Sequence, residues 1–140
     1  MDRLLTVFAA ILCGVACADV PSGSASSSRT IFFAGDSTLH SRKYLLEKKY
    51  PEEENCLGSW CDELEKSLRP GFRIANHAYS GCSTKSFVDS GRWVRMICRV
   101  KPGDFVYIQF GHNDQKKNSP NRYAASDGAF RDNLRRFAAE

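Results

Sequence analysis

Nothing in these 140 residues is apolar for long enough to cross a membrane: the longest apolar stretch, Leu4–Val15, falls short of the about 20 residues that a spanning helix needs. No block of one charge sign occurs either. The 20 Lys and Arg residues are interleaved with 16 Asp and Glu residues, giving a net charge of +4, which reads as a solvated mixed surface and argues against a nucleic-acid partner. There is no CxxC pair and no HxxxH spacing, which argues against a zinc site among the cysteines. The glycine patterns that cradle a nucleotide, GxGxxG and GxxxxGK(S/T), are absent after the first strand. No internal repeat or coiled coil is visible. Histidine is scarce, with only His40, His77 and His112, so any reaction that needs an imidazole base has few places to find one.

What is present fits one domain. Residues 1–18 carry Arg3, an apolar core and the small residues Ala16-Cys17-Ala18, the pattern of a secretory signal peptide and hence of a secreted or periplasmic protein. Residues 19–29 are small and polar, a flexible lead-in, and the folded domain is expected over residues 30–140. Beyond the leader four cysteines remain, Cys56, Cys61, Cys82 and Cys98, an even number suited to disulfides. Three pairings are possible. Cys56 with Cys61 is a natural short loop that leaves Cys82 with Cys98, although spacing alone does not fix the connectivity.

Ile31–Ala34 is apolar without alternation, as in a strand buried on both faces. His40–Glu54 is charged and reads as a loop with a helical turn at most. Leu57–Leu68 reads as a helix, with Trp60, Leu64 and Leu68 on one face and Pro70-Gly71 as its stop; Trp60 on that stripe is expected in the core and not as a sugar platform. Phe72–Ala78 is a second strand. Phe87–Val100 is a wholly or partly helical crossover interrupted near its start by Asp89-Ser90-Gly91, and Phe105–Phe110 is a third strand. Ser126 is placed to cap a last helix with Phe130, Leu134 and Phe137 on its apolar stripe. The alternation of strands and helices predicts an α/β fold, a parallel sheet with helices on both faces.

Parallel strands present their carboxyl ends at one edge, where open α/β sheets bind ligands. Three strand-end loops therefore gather there. The loop after Ala34 brings Ser37, a hydroxyl nucleophile if a base takes its proton. The loop after Ala78 brings Gly81, a backbone N–H with no side chain in the way, and the loop after Phe110 brings Asn113, an amide donor. An attacking oxygen and donors aimed at a growing oxyanion are the parts acyl transfer needs.

The same residues carry a resemblance. GDST at Gly35–Thr38, NHAYSGCS at Asn76–Ser83 and GDFVYIQFGHND at Gly103–Asp114 resemble the first three motif blocks of the GDSL or SGNH hydrolases. GDST, the LGSW at Leu57–Trp60 and FGHND are most similar to the rhamnogalacturonan acetylesterases of that superfamily. The resemblance runs from Thr30 to Glu140. It implies a three-layer flavodoxin-like fold, of which three strands are the amino-terminal half. It further implies Ser37 as nucleophile, and the N–H groups of Ser37 and Gly81 with the Asn113 side chain as oxyanion hole. Asp36 is then a loop organiser, with His112 and Asp114 bracing the third loop. No cofactor or metal is implied. The implied partner is an acetylated polysaccharide, with neither a nucleic acid nor a membrane, and a monomer is expected.

One part of the family pattern is missing. These enzymes take their base and its orienting acid from a DxxH block, and the sequence has none. His40 is expected to be a solvent-exposed loop residue, His77 a packed strand residue, and His112 a neighbour of the oxyanion donor. The chain therefore reads as the amino-terminal part of a secreted serine acetylesterase and is expected to be inactive by itself. A lipase or thioesterase of the same superfamily, and a carbohydrate-binding protein that has lost its base, are the alternatives.

Overall fold

The computed structural model describes residues 28–41 and 59–140. The leader, most of the lead-in, Cys56 and the expected loop from residue 42 lie outside the described residues. Three strands, β1 (Arg29–Gly35), β2 (Phe72–Asn76) and β3 (Phe105–Gln109), form a parallel sheet in the order β2-β1-β3, the arrangement that opens a flavodoxin-like sheet. Four helices accompany them among the described residues: α1 (Trp60–Lys66), α2 (Thr84–Asp89), α3 (Arg92–Ile97) and α4 (Ala129–Ala139).

The central strand explains the order. Side chains alternate across a strand, so Phe32 and Ala34 enter one apolar cluster and Ile31 and Phe33 the other. The first cluster takes Phe87 from α2, Trp93 and Met96 from α3 and Phe137 from α4. Trp93 and Phe137 stack with ring centroids 4.0 Å apart. On the opposite face Cys61 and Leu64 of α1 close over Phe33 and Leu39. Both faces of the sheet are thus covered, as the unbroken apolar run of β1 requires.

Several expected boundaries shift for local reasons. β1 starts at Arg29, because its N–H is taken up by the Gly71 carbonyl (2.8 Å) and that of Thr30 by the Asp104 carboxylate (2.7 Å). The crossover is two short helices. Ser83 caps α2 by accepting from the Ser86 N–H, and Gly91, with φ +68°, breaks the path before α3. Ser126 does not cap the last helix: a turn closed by Gly128 N–H to the Ala125 carbonyl intervenes, and α4 starts at Ala129 after Gly128. Trp60 is 40% exposed and not a core residue, though its ring meets Phe33 and Tyr107 edge-on at 5.5 and 5.4 Å. Leu68 falls beyond the end of α1. The Cys82–Cys98 disulfide is not made: Cys82 is buried in the first cluster, Cys98 is exposed at the end of α3, and both are free, as is Cys61.

Candidate active site

The turn that leaves β1 is organised by Asp36. This residue is buried, and its Oδ1 accepts from the Thr38 N–H (3.0 Å) and hydroxyl (2.9 Å), while its carbonyl accepts from the N–H groups of Leu39 and His40. The Gln109 amide of β3 donates to the Thr38 hydroxyl at 2.9 Å. Gly35 is needed where this turn begins, since a Cβ there would meet the Gln109 carbonyl oxygen at 2.9 Å and overlap the Leu39 side chain. Ser37 is half-buried at the apex. Neither its hydroxyl nor its backbone N–H has a hydrogen-bond partner among the described residues.

The parallel ladder between β1 and β2 continues past Asn76, through His77 N–H to the Phe33 carbonyl (2.9 Å) and Tyr79 N–H to the Gly35 carbonyl (3.0 Å). Asn76 ties the two loops together: its amide donates to the Leu39 carbonyl at 2.7 Å and its side-chain oxygen accepts from the Ala78 N–H. The chain then turns through Gly81, φ +79°, a conformation that costs other L-residues roughly 1–2 kcal/mol. The Gly81 N–H also donates to no acceptor among the described residues.

The loop after β3 is held far more tightly. Asn113 is 2% exposed, and its amide nitrogen donates to the Cys82 carbonyl at 2.9 Å and lies 3.5 Å from an Asp36 carboxylate oxygen. The second contact is at the limit of a hydrogen bond, so one amide hydrogen is held weakly. The Lys116 ammonium donates to the Asn113 side-chain oxygen, Oδ1, at 2.7 Å. Asp114 is also buried and accepts from the N–H (2.9 Å) and hydroxyl (2.5 Å) of Thr84. Burial pushes the Asp114 carboxyl above its ordinary range, against the pull of the Thr84 bonds. Its other oxygen has no partner among the described residues. Sequence reasoning gave no role to Thr84, Gln109 and Lys116: Gln109 lies inside the Gly103–Asp114 block as a strand residue, and Thr84 and Lys116 fall just outside the motif blocks.

The histidines have distinct places. His40 is half-buried and not the solvent-exposed residue expected: Nδ1 lies 2.9 Å from the Ser80 hydroxyl and accepts from the Ser80 N–H, and the ring packs on Tyr79 at 5.3 Å. An accepting Nδ1 places the ring proton of the neutral imidazole on Nε2. His77 is half-buried just beyond β2, its ring 5.9 Å from Phe32, with its pKa lowered by burial and then by Arg99. His112 is exposed beside Asn113. It shares with Asp36, Thr38, Gln109, Tyr123 and Phe130 the wall of a cavity of about 410 Å³, which Ser37 itself does not line.

The two buried cysteines are unsuited to the task. Burial, then Asp62, pushes the Cys61 thiol up to about 11, and burial raises that of Cys82, so both remain thiols near neutrality. No group of three or more metal-ligating side chains occurs among the described residues, and no helix among them is long and apolar enough to cross a membrane. Ser37, Gly81 and Asn113 are thus placed by three loops that follow three parallel strands, with Asn113 bonded to the carbonyl of the residue after Gly81.

No protein-family model matches the chain. It is 32% identical over 109 residues to the probable rhamnogalacturonan acetylesterase YesY of Bacillus subtilis, covering 78% of this chain and 46% of that protein. It is 35% identical over 94 residues to the rhamnogalacturonan acetylesterase RhgT of the same organism, covering 67% and 37% respectively. With the rhamnogalacturonan acetylesterase of Emericella nidulans it shares 32% identity over 87 residues, covering 62% and 29%. The crystal structure of YxiM from B. subtilis, an uncharacterized esterase, matches with a TM-score of 0.63 at 25% identity, covering 79% of this chain and 28% of that one. The chain spans less than half the length of these curated relatives. Sheet topology and these homologues agree: the chain is a homologue of the rhamnogalacturonan acetylesterases and shares the fold of the YxiM esterase, as expected of a part of a GDSL/SGNH hydrolase.

Proposed function

We propose that this chain carries the nucleophile and oxyanion half of a secreted esterase that removes O-acetyl groups from rhamnogalacturonan or a related pectic polysaccharide. The observation that supports it most is a set of uncommitted donors. The N–H groups of Ser37 and Gly81 bond to nothing among the described residues, and the buried Asn113 amide has one weakly held hydrogen. Buried or half-buried N–H groups are rarely left unpaired without a purpose.

In this reading Ser37 Oγ attacks the acetyl carbonyl carbon and its proton passes to a general base. The carbonyl oxygen becomes an oxyanion that accepts from the Ser37 and Gly81 N–H groups and Asn113 Nδ2. Collapse of this intermediate breaks the bond to the sugar oxygen, which leaves with a proton returned by the base, and water then releases acetate from the acyl-serine. Asp36 does not serve as the acid of a triad, because its carboxylate is engaged by Thr38. The base is supplied from outside the three strand-end loops. His40 Nδ1 is engaged by Ser80, and no histidine bonds to the Ser37 hydroxyl among the described residues. Without that base the chain is inactive, or nearly so.

Acetate release from acetylated rhamnogalacturonan by the full-length protein tests the reading. Ser37→Ala is expected to abolish it, and unchanged release would refute the assignment. Profiling against long-chain esters separates this activity from a lipase or thioesterase.

A further inference from the structure

Lys116 places its charge where a lysine seldom does. The side chain is long and flexible and normally keeps its ammonium in water, yet Lys116 is half-buried and donates to the Asn113 side-chain oxygen at 2.7 Å. Lys66 and Lys85 pair with carboxylates on their own helices, whereas Lys116 forms no ion pair among the described residues. The backbone prepares the contact. The Lys116 N–H donates to the Asn113 backbone carbonyl at 3.3 Å, and the Lys116 carbonyl accepts from the Ser119 N–H at 2.9 Å, so a turn brings the lysine back to the asparagine.

The oxygen and nitrogen ends of an amide have nearly the same shape, so partners of opposite kind decide which way it faces. At Asn113 the nitrogen meets two acceptors, the Cys82 carbonyl at 2.9 Å and an Asp36 carboxylate oxygen at 3.5 Å, and the oxygen meets the ammonium. A flipped amide would set its NH2 group against the ammonium and its oxygen against both acceptors. A charge-assisted bond to the oxygen also draws electron density from the nitrogen, which makes its hydrogens stronger donors. Charge balance at the site calls for both effects. An oxyanion held by Asn113 Nδ2 forms beside the buried Asp36 carboxylate, which repels it, and Lys116 sets a positive charge at the other end of the same amide.

We propose that Lys116 is a positioning residue for the esterase reaction: its ammonium, bonded to Asn113 Oδ1, holds Nδ2 toward the oxyanion and strengthens it as a donor. This deepens the esterase reading and rests on it for the role of Asn113.

The test uses the full-length protein with p-nitrophenyl acetate, a neutral ester whose binding owes nothing to long-range charge. Lys116→Met keeps the apolar stem and removes the ammonium. It is expected to lower kcat by about tenfold with KM unchanged, a part of the about 100- to 1,000-fold that loss of an oxyanion donor costs. Added to Asn113→Ala, where no amide is left to act on, it is expected to cost nothing more. Lys116→Arg, which keeps a cationic donor, is expected to restore most of the rate. In a proton–nitrogen correlation NMR spectrum the Asn113 side-chain signals, identified by their absence in Asn113→Ala, are expected to shift and to exchange faster with solvent in Lys116→Met. Thermal unfolding checks that each variant is folded, and Lys116→Gln, read in the same way, stands in if the Met variant is not. An unchanged kcat in Lys116→Met with Asn113→Ala strongly impaired overturns the positioning role alone. So does an Arg variant as slow as the Met variant, or a further tenfold fall on top of Asn113→Ala. Full activity in Asn113→Ala, with the Asn113 signals still shifted by Lys116→Met, refutes instead the oxyanion assignment on which the proposal rests.

Discussion

The turn after β1 and the loop after β3 face one another across the sheet edge, yet they are built in opposite ways. Asn113 and Asp114 are almost wholly buried and held by Thr84, Lys116 and the Cys82 carbonyl. Ser37 is half-buried with a hydroxyl that nothing among the described residues holds, on a turn ordered from beneath by Asp36 and Thr38. In the proposed reading, the donors of a charge-stabilising site are fixed in advance, and the attacking group is left open. Preorganisation of that kind is where most of the rate in acyl transfer originates, but a hydroxyl without a base contributes little.

Breaking the rigid side should have the largest effect. Asn113→Ala in the full-length protein is expected to lower kcat for acetate release by about 100- to 1,000-fold, or roughly 3–4 kcal/mol. A fall of less than tenfold would mean that the fixed loop does not act on the reaction. Thr84→Val removes the hydroxyl that donates to Asp114 and accepts from Asn133. Urea unfolding should show a loss of about 1.5–3 kcal/mol, the range for a hydrogen bond to a charged group, and an unchanged midpoint would show the loop to be held by other means. On the open side, Gly35→Ala presses on Leu39 and on the Gln109 carbonyl. It should cost about 1–3 kcal/mol by overpacking, read in the same unfolding experiment.

The smallest effect is a pH dependence confined to the β3 loop. Asp114 has a raised pKa in the fold, so the native state holds that proton more tightly than the unfolded chain. Its contribution to stability is fully present below the unfolded value of about 4 and is lost as pH rises through the raised native value. Asp114→Asn should flatten this part of the decline in urea midpoint as pH rises above about 4. An undiminished decline would assign it to other groups.

Much of this architecture is legible from side-chain type. The apolar runs at Ile31 and Phe105 and the small-residue loops after them mark parallel strands and a common edge, because backbone chemistry repeats wherever a sheet does. Ser37, Gly81 and Asn113 stand out for the same reason, being the residues a strand end does not need for packing. What fixes Asp114 was not legible, since Thr84 lies thirty residues away and meets it only after α2 docks. Trp60 misleads because helical spacing tells which residues share a face and not how far the covering layer extends; its ring meets the core by an edge and keeps 40% of its surface. Ser126 misleads because a capping side chain acts only if the helix starts next to it, and the turn at Ala125–Gly128 delays that start. Cysteine number likewise sets no geometry, and the free thiols of Cys82 and Cys98 sit at opposite levels of burial.

The central claim is that Ser37 is the nucleophile aimed at donors from Gly81 and Asn113. A p-nitrophenyl alkylphosphonate, whose tetrahedral phosphorus carries an oxygen in the oxyanion position, tests it most directly in the full-length protein, with the adduct located by peptide mass spectrometry. The account predicts a single adduct on Ser37, formed about 100-fold more slowly in Asn113→Ala, in line with the loss of one oxyanion donor. Labelling of a different serine, no labelling, or labelling of Ser37 at the same rate in both proteins would contradict it.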